Sequence, residues 1–238
     1  MISLVGVLVL FGLILIWRLT SQPNIITRVE RPDALANSND QCVSCHRQAS
    51  PGIVQQFGHS TMAAANVNCT DCHVVPANYA GSVEHEGHYV LRSPTTAMCE
   101  KCHQQEVAQY NQSRHSIPAW VAVKGSKDLS DTLMAAYQAI PEGQFAPDKS
   151  RNAIAALEGD DITRFACDSC HAIGKPAEDG SVGQCQKCHL RHEFSLEQAR
   201  KPETCNACHI GPDHPQWEIF TESPHGIAYM TGGDNYNW

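Results

Sequence analysis

The sequence is short of positive charge and of aromatic residues. Its 17 Lys and Arg stand against 25 Asp and Glu, which gives a formal net charge of -8 at pH 7, and aromatic residues make up 7% of the chain. A net negative charge argues against nucleic acid as a partner and is compatible with small soluble substrates or basic redox partners. No Lys or Arg precedes Trp17, and no cysteine lies outside one repeated motif. The chain therefore has no spare cysteine pair for a disulfide or for thiol catalysis.

The repeated motif is Cys-x-x-Cys-His, and its six copies use all 12 cysteines. They are Cys42/Cys45/His46, Cys69/Cys72/His73, Cys99/Cys102/His103, Cys167/Cys170/His171, Cys185/Cys188/His189 and Cys205/Cys208/His209. The two thiols can form thioethers to the vinyl groups of a haem, and the adjacent histidine can supply the proximal nitrogen ligand of its iron. Zinc knuckles and disulfide frameworks do not demand a histidine directly after the second cysteine. The motif therefore predicts six covalently attached haem c groups.

The fold class follows from the number of cofactors. Six haems leave about 40 residues for each, too few to surround every haem with a conventional core. With 42% apolar residues and few aromatic residues, we expect a mainly α protein with long loops, organised around stacked haems and containing little or no sheet.

The N-terminal segment, residues 1–17, is apolar from Ile2 to Trp17 with few interruptions. It is at the short end for a membrane span, which needs about 20 residues, but it fits an export segment. It lacks the basic start and the nearby small-residue cleavage site of a signal peptide, which favours an uncleaved anchor. The basic residues that follow it would favour the cytoplasmic side, yet haem attachment by this motif occurs outside the cytoplasm in c-type cytochromes. We therefore expect the body of the protein to be periplasmic or extracellular.

The rest of the chain divides by its motifs. Residues 18–40 are polar and contain two prolines, which predicts a linker, and residues 41–238 form the predicted hexahaem domain. The haem motifs fall into two triplets, residues 42–103 and 167–209, separated by a spacer at 116–166. Within the spacer the pattern predicts helices over Leu129–Ile140 and over Ser150–Leu157, the second ending at Gly159.

Seven histidines remain after the six proximal ones, and low-spin haems need a second axial ligand. They are His59, His85, His88, His115, His192, His214 and His225. If all six irons take two histidines, one histidine is left over, and if one iron stays open for substrate, two are left over. The count does not separate these cases. We predict second ligands at His59, His88, His115, His192 and His225.

Two of these histidine positions leave alternatives open. His85 and His88 are three residues apart and could share a helix face, in which case one binds iron, and we favour His88. His214 follows Asp213 between two prolines. It is either another axial ligand with a chance aspartate beside it, or half of a carboxylate–imidazole pair that moves protons over an open iron.

Residues 41–233 resemble the octahaem hydroxylamine oxidoreductases. The resemblance is carried by CVSCHRQASPGIVQQF at 42–57, by CEKCHQQEV at 99–107, and by RHEFS at 191–195 with QARKPE at 198–203 and GPDHPQ at 211–216. It implies that the fourth haem, on Cys167, Cys170 and His171, is the five-coordinate active site. It also implies that Asp213 and His214 are the catalytic pair and that the protein forms a trimer.

The sequence departs from that family in two ways. The family carries eight haem motifs and this sequence has six, and the tyrosine that cross-links the catalytic porphyrin in the oxidative members has no counterpart here. We interpret the chain as a fragment or a split version truncated to the first six motifs, with the direction of catalysis open.

Two functions follow from these observations. The first is an exported oxidoreductase acting on a small nitrogen compound, either oxidising hydroxylamine or reducing hydroxylamine or nitrite. It would exchange electrons with a partner cytochrome or a quinone-linked membrane protein. The alternative is a non-catalytic, membrane-anchored electron conduit in which all six irons are six-coordinate.

Overall fold

The computed structural model describes residues 31–141 and 146–232. The described part is mainly helical and contains one two-stranded sheet, which confirms the predicted fold class. Its helices are α1 (Gln41–Ala49), α2 (Pro51–Gly58), α3 (Thr61–Ala64), α4 (Cys69–His73), α5 (Thr96–Glu100), α6 (Gln104–Asn111), α7 (Ile117–Lys124), α8 (Asp131–Gln138), α9 (Ala153–Phe165), α10 (Asp168–His171), α11 (Leu196–Ala199), α12 (Pro202–Asn206), α13 (Gln216–Glu222) and α14 (Pro224–Gly232). Its strands are β1 (Val83–His85) and β2 (His88–Val90), and short 3₁₀ turns lie at Ala172–Gly174 and Cys185–Lys187.

The described residues fall into two compact units, one within residues 31–208 and one that includes residues 209–232. The predicted N-terminal anchor and most of the predicted linker lie outside the described residues. In the part of the chain that the structure describes, no helix has the length and apolar character needed to cross a membrane.

Polar caps set where the first helices begin. Before α1 the Asp40 carboxylate accepts a hydrogen bond from the Val43 N–H, and before α3 the Ser60 hydroxyl accepts one from the Ala63 N–H. Helix α2 begins with Pro51, whose ring fixes φ and whose missing N–H is not needed in a first helical turn. The caps thus fix where α1, which carries the first haem motif, and α3 begin.

The strands β1 and β2 form an antiparallel hairpin that the sequence pattern did not predict. Val83 pairs with Val90 and His85 with His88, and the two residues between the histidines are Glu86 at φ 50° and Gly87 at φ 81°. Two central residues with positive φ are typical of a tight hairpin turn. The interpretation of His85 and His88 as neighbours on a helix face is therefore wrong, because they face each other across a strand pair.

The spacer packs around a small apolar core in the unit of residues 31–208. Ile117, Val121, Tyr137 and Val182 are buried together there. The helix predicted over Leu129–Ile140 is present as α8, and the Ser130 hydroxyl caps it by accepting from the Leu133 N–H.

The second predicted helix of the spacer does not end at Gly159. Gly159 adopts φ 80° and ψ 174°, which breaks the helix, but the chain resumes helical geometry immediately and α9 reaches Phe165. The glycine is therefore a break within α9 rather than its end.

One polar cluster joins the two haem triplets. The Asp179 carboxylate, from the loop between the fourth and fifth motifs, accepts hydrogen bonds from the Tyr79 and Thr95 hydroxyls, both at 2.5 Å. It also accepts from the N–H and hydroxyl of Ser181, at 2.9 and 2.7 Å. Asp179 thus links the loop between the fourth and fifth motifs to residues on either side of the hairpin.

In the unit that includes residues 209–232, α13 and α14 form a helical pair. Trp217 lies 6.3 Å from Phe220 and Phe220 lies 5.9 Å from Tyr229, measured between ring centroids. Gly226 is buried where the helices meet, because a Cβ at this position would collide with the Phe220 carbonyl.

Candidate haem sites

Each haem motif described by the structure is folded as a helical turn. The N–H of the proximal histidine donates to the carbonyl of the first cysteine at 2.9 Å for His103, His171 and His189. Side chains three and four positions apart lie on one face of such a turn. Both sulfurs and the imidazole of a motif can therefore meet the same porphyrin, so the motifs fit the haem c that their sequence predicts.

The twelve motif cysteines differ in how far the structure encloses them. The motif predicts haem attachment at all of them alike, but Cys45 and Cys102 are exposed, as are Cys188 and Cys205, whereas the other eight are partly buried. None of the twelve forms a disulfide with another. Exposure does not contradict haem attachment at Cys45 and Cys102, which stays a prediction, because the protein alone need not enclose a residue that a haem would cover.

The cysteines differ in exposure because the spacing of a motif fixes which side chains share a turn but not how deeply that turn is packed. Cys45 directly follows the exposed Ser44 in α1, and Cys102 lies between the exposed Lys101 and His103. Both side chains thus lie on the outer part of their turns. An exposed thiol is accessible to a porphyrin vinyl group, so the exposure of these two cysteines suits the formation of a thioether.

Three proximal imidazoles are oriented by hydrogen bonds from Nδ1. His73 Nδ1–H donates to the Leu91 carbonyl at 2.6 Å, and His171 Nδ1–H donates to the Ala119 carbonyl at 2.8 Å. His209 Nδ1–H donates to Gln216 Oε1 at 3.2 Å. A hydrogen on Nδ1 leaves the lone pair on Nε2, which is the arrangement that a metal-binding histidine needs. Nothing in the sequence pattern predicted these acceptors.

Two pairs of imidazoles from distant parts of the chain have the separation expected of axial ligands on one iron. The ring centroids of His46 and His85 are 6.1 Å apart, and those of His73 and His192 are 6.3 Å apart. With metal–nitrogen bonds of about 2 Å, two trans imidazoles place their centroids about 6 Å apart. Burial, then the neighbouring His73 and Arg191, lowers the pKa of His192 and favours the neutral imidazole that binds metal. Of the hairpin histidines, it is His85 that lies beside a proximal ligand.

The other predicted second ligands are dispersed over the described elements. His59 follows α2, and its Nδ1–H donates to the Arg31 carbonyl at 2.5 Å. His115 lies in the turn between α6 and α7, where its carbonyl accepts from the Tyr110 hydroxyl at 2.7 Å. His88 is exposed on β2, and His225 is exposed near the start of α14.

Neighbouring motifs contact each other through the residues between their cysteines. The ammonium of Lys101, in the third motif, donates to the Asp71 carbonyl of the second at 3.3 Å. The ammonium of Lys187, in the fifth motif, donates to the Ser169 carbonyl of the fourth at 2.9 Å. Each lysine therefore joins one haem-binding turn to another.

Sulfur contacts extend this series of motifs. The thiol of Cys170, in the fourth motif, donates to the Ala207 carbonyl of the sixth at 3.9 Å. The Thr96 hydroxyl, beside the third motif, lies 3.9 Å from the sulfur of Cys185 in the fifth. Together with the lysine contacts, the second, third, fifth, fourth and sixth motifs form a continuous series in space, although the chain order is different.

The close approach of motifs also perturbs the free thiols. A hydrogen bond from the Cys99 thiol lowers the pKa of Cys185 to about 6. The same contact and burial raise the pKa of Cys99. Thioether formation removes both ionisable groups. The contact between the two thiols agrees with the Thr96–Cys185 contact in placing the third and fifth motifs side by side.

The segment that follows the sixth motif is a compact turn. The His214 N–H donates to the Gly211 carbonyl at 3.3 Å, and the Trp217 N–H donates to the His209 carbonyl at 3.1 Å. Gly211 has φ 82° and its N–H donates to Glu218 Oε1 at 3.0 Å. In this turn Asp213 is exposed and His214 is half-buried.

Fold and sites together define a multihaem c-type cytochrome. A family model described as "Seven times multi-haem cytochrome CxxCH" matches residues 65–238. The chain belongs to this family of multihaem cytochromes, whose covalently bound haems carry electrons.

Two further similarities concern longer proteins. The chain is 28% identical over 224 residues to a "Probable nitrite reductase-hydroxylamine oxidoreductase fusion protein" of Kuenenia stuttgartiensis, a match that covers 84% of this chain and 23% of the relative. A solved structure of a "Hypothetical multiheme protein" superposes with a TM-score of 0.64 at 23% identity, over 86% of this chain and 50% of that one. The structural match supports the multihaem fold. The chain thus spans about a quarter of the curated relative and half of the solved chain.

Proposed function

We propose that this protein is an exported oxidoreductase that acts on a small nitrogen compound, hydroxylamine or nitrite, at the haem held by Cys167, Cys170 and His171. Asp213 and His214 would supply and accept the protons of the reaction. The other five haem groups would carry electrons to or from a partner cytochrome or a quinone-linked membrane protein. The name of the Kuenenia relative, which joins nitrite and hydroxylamine chemistry, supports this substrate class.

The compact turn after the sixth motif is the observation that carries the proposal. The His209 and His214 rings are 6.1 Å apart, a distance that taken alone would also suit two ligands on one iron. Trans ligands, however, lie on opposite faces of a porphyrin, so the chain between them must pass around its edge. Five residues reach at most about 17 Å when fully extended, and here the segment is folded back by hydrogen bonds. This geometry supports a role for His214 other than second ligand of the sixth iron.

The chemistry of the two side chains fits proton transfer. Interconversion of hydroxylamine and nitrite moves several protons together with several electrons, and an imidazole can take up or release a proton near neutral pH. An adjacent carboxylate can orient the imidazole and stabilise its protonated form. When bound, the haem supplies an iron that can hold the nitrogen atom and exchange electrons.

The orientation of His171 is consistent with a dedicated site at the fourth motif. The Ala119 carbonyl fixes the imidazole from the first turns of α7, and Lys124 of the same helix lies 3.6 Å from the Asp168 carboxylate inside the motif. Lys187 of the fifth motif holds the motif from another side. The series of adjacent motifs would then give electrons a route between this site and the other haems.

The test compares Asp213→Asn and His214→Gln with Asp131→Asn, an exposed acid at the start of α8. In the haem-loaded protein we expect the first two variants to lose about a hundredfold or more of the turnover with hydroxylamine or nitrite. Their haem content and low-spin spectra should stay unchanged, and Asp131→Asn should behave as the wild type.

Two results would support the conduit instead. One is an oxidised protein without a high-spin ferric signal whose spectrum does not respond to cyanide or hydroxylamine. The other is a new high-spin haem in His214→Gln, which would identify His214 as an axial ligand. The first result would mean that all irons are six-coordinate, and the second would remove His214 from proton transfer, so either would favour a protein that only relays electrons.

We also propose, from the motif chemistry and the apolar N-terminal segment, that the haem-bearing body lies on the periplasmic or extracellular side and is tethered to a membrane. Trimer formation is the corresponding proposal from the resemblance. Cell fractionation and mass measurement of the native protein test these two points.

A further inference from the structure

Gln216 makes two contacts that join the sixth haem motif to the Asp213–His214 turn. Its side-chain Oε1 accepts a hydrogen bond from His209 Nδ1–H at 3.2 Å. Its main-chain N–H donates to the His214 carbonyl at 2.9 Å. Gln216 is the first residue of α13, so the start of this helix fixes the main-chain position from which both contacts are made.

A hydrogen bond at Nδ1 changes what an axial imidazole does to its metal. It fixes the tautomer and the ring orientation, and it raises the basicity of the coordinating nitrogen. A more basic ligand stabilises ferric iron over ferrous iron and so lowers the reduction potential, one of the means by which a protein sets haem chemistry. For His73 and His171 the acceptors are main-chain carbonyls, which no side-chain substitution can remove. The acceptor for His209 is a side chain and can be changed.

We propose that Gln216 is a positioning residue for the sixth haem. Its amide sets the orientation of His209 and the reduction potential of that haem, and its main chain holds the neighbouring turn in place. The first part depends only on His209 being a proximal ligand. The second part rests on the proposed function of Asp213 and His214.

The experiment uses the full haem-loaded chain and measures reduction potentials by optical and EPR-monitored redox titration. In Gln216→Leu the acceptor is removed, and the potential of one haem should shift upward. In Gln216→Glu a carboxylate replaces the amide and makes a stronger acceptor, so the same haem should shift downward while its low-spin spectrum is retained. The other haems should keep their potentials in both variants.

Gln104→Leu is the matched control. Gln104 is also the first residue of a helix that follows a proximal histidine. Among the described residues, the Gln104 side chain makes no hydrogen bond to His103. The Nδ1 atom of His103 lies 3.9 Å from Glu106 Oε2 instead. Gln104→Leu should therefore leave all potentials unchanged.

A further variant removes the main-chain contact, and it also disfavours the ψ of 30° that Pro215 adopts before position 216. Gln216→Pro and Gln216→Leu both lack the amide side chain, but only the proline lacks the N–H that reaches His214. Proline is tolerated at the start of a helix. The proline variant should lose turnover beyond the loss in the leucine variant, with the same shift in potential.

Unchanged potentials in both Gln216→Leu and Gln216→Glu would overturn the proposal. So would a shift spread equally over several haems, because that result indicates a general structural change. If the leucine variant fails to take up its sixth haem, the glutamate variant still decides the sign. A protein without turnover but with the predicted opposite shifts would refute the proposed function and leave the role of the amide standing.

Discussion

His85 and His88 show how a small difference in backbone geometry decides which side chain can bind a metal. They lie opposite each other in the hairpin register. The ring of His85 is the one that lies 6.1 Å from that of the proximal His46. We predicted His88 from the sequence, although the sequence alone does not distinguish two histidines that are three residues apart. The direction of each histidine is set by the turn at Glu86 and Gly87, and neither of these residues is a predicted haem ligand.

Substitution of each hairpin histidine tests this assignment. We expect His85→Ala to convert one low-spin haem to a high-spin form, visible as a charge-transfer band and a high-spin EPR signal, because the first iron loses its second ligand. His88→Ala, on the facing exposed position, should keep the wild-type spectrum. The opposite pattern would return the ligand role to His88.

The predictability of the site differs between its parts for a physical reason. The thioether cysteines and proximal histidines can be identified because a single helical turn brings them together, as in α4. The exposure of Cys45 and Cys102 could not be predicted, since it depends on what packs against each turn. The candidates for second ligand come from distant positions, as His192 does beside His73. Their choice is made by tertiary packing and leaves no local signal. The Ala119 carbonyl that accepts from His171 also leaves no signal in the sequence, because every residue type has a main-chain carbonyl.

At the scale of elements, Asp179 links segments that lie far apart in the sequence, because its carboxylate accepts hydrogen bonds from Tyr79 and Thr95. Burial alone would raise the pKa of this carboxyl, but hydrogen bonds from Ser181, Thr95 and Tyr79 outweigh it and hold the pKa below 3.8. The ionised form is therefore favoured by folding. The hydrogen bonds therefore stabilise the junction between the hairpin region and the loop of residues 175–182 most strongly while Asp179 carries its charge.

This linkage predicts a pH-dependent loss of stability in Asp179→Asn. A carboxyl whose pKa is lowered by folding contributes full stability above its unfolded pKa, and the contribution is lost as pH falls through the folded value. We expect the variant to lose about 1–3 kcal/mol near neutral pH. The gap to the wild type should narrow as the pH falls below about 4.

Thermal or denaturant unfolding of the haem-loaded protein, followed by circular dichroism between pH 7 and pH 3, measures this gap. Asp128→Asn, at an exposed position after α7, is the control and should remain close to wild type throughout. A destabilisation of Asp179→Asn that is the same at both ends of the pH range would contradict an ionic origin.

The helices of the spacer show which helix bounds a local sequence pattern can predict and which it cannot. Helix α8 was predictable because Ser130 caps a segment with apolar residues at helical spacing. The continuation of α9 beyond Gly159 was not predictable, because a glycine with positive φ is also the usual end of a helix. The chain continues as helix here, and α9 leads directly into the fourth haem motif.

At the scale of the whole molecule, the buried apolar clusters are small and several large apolar side chains are exposed. The described residues form only two small buried clusters, the spacer core and Val75 with Leu91 and Met98. Large apolar side chains lie exposed beside the motifs, with Phe165 just before the fourth motif at 74%, Leu190 after the fifth at 46% and Ile210 after the sixth at 52%. Exposed apolar groups at these positions are suited to pack against porphyrins, which would supply the missing part of the core.

Folding should therefore depend on haem attachment. We expect the chain produced in the cytoplasm, where haem is not attached, to lack a cooperative thermal transition in circular dichroism. The same chain exported with the attachment machinery should unfold cooperatively. It should also carry a mass increase of six haems, one for each motif in the sequence. The double variant Cys205→Ser with Cys208→Ser is the control for the count and should carry five. Cooperative unfolding of the haem-free chain would show that the two apolar clusters suffice, and a mass corresponding to fewer haems in the wild type would show that at least one motif is not used.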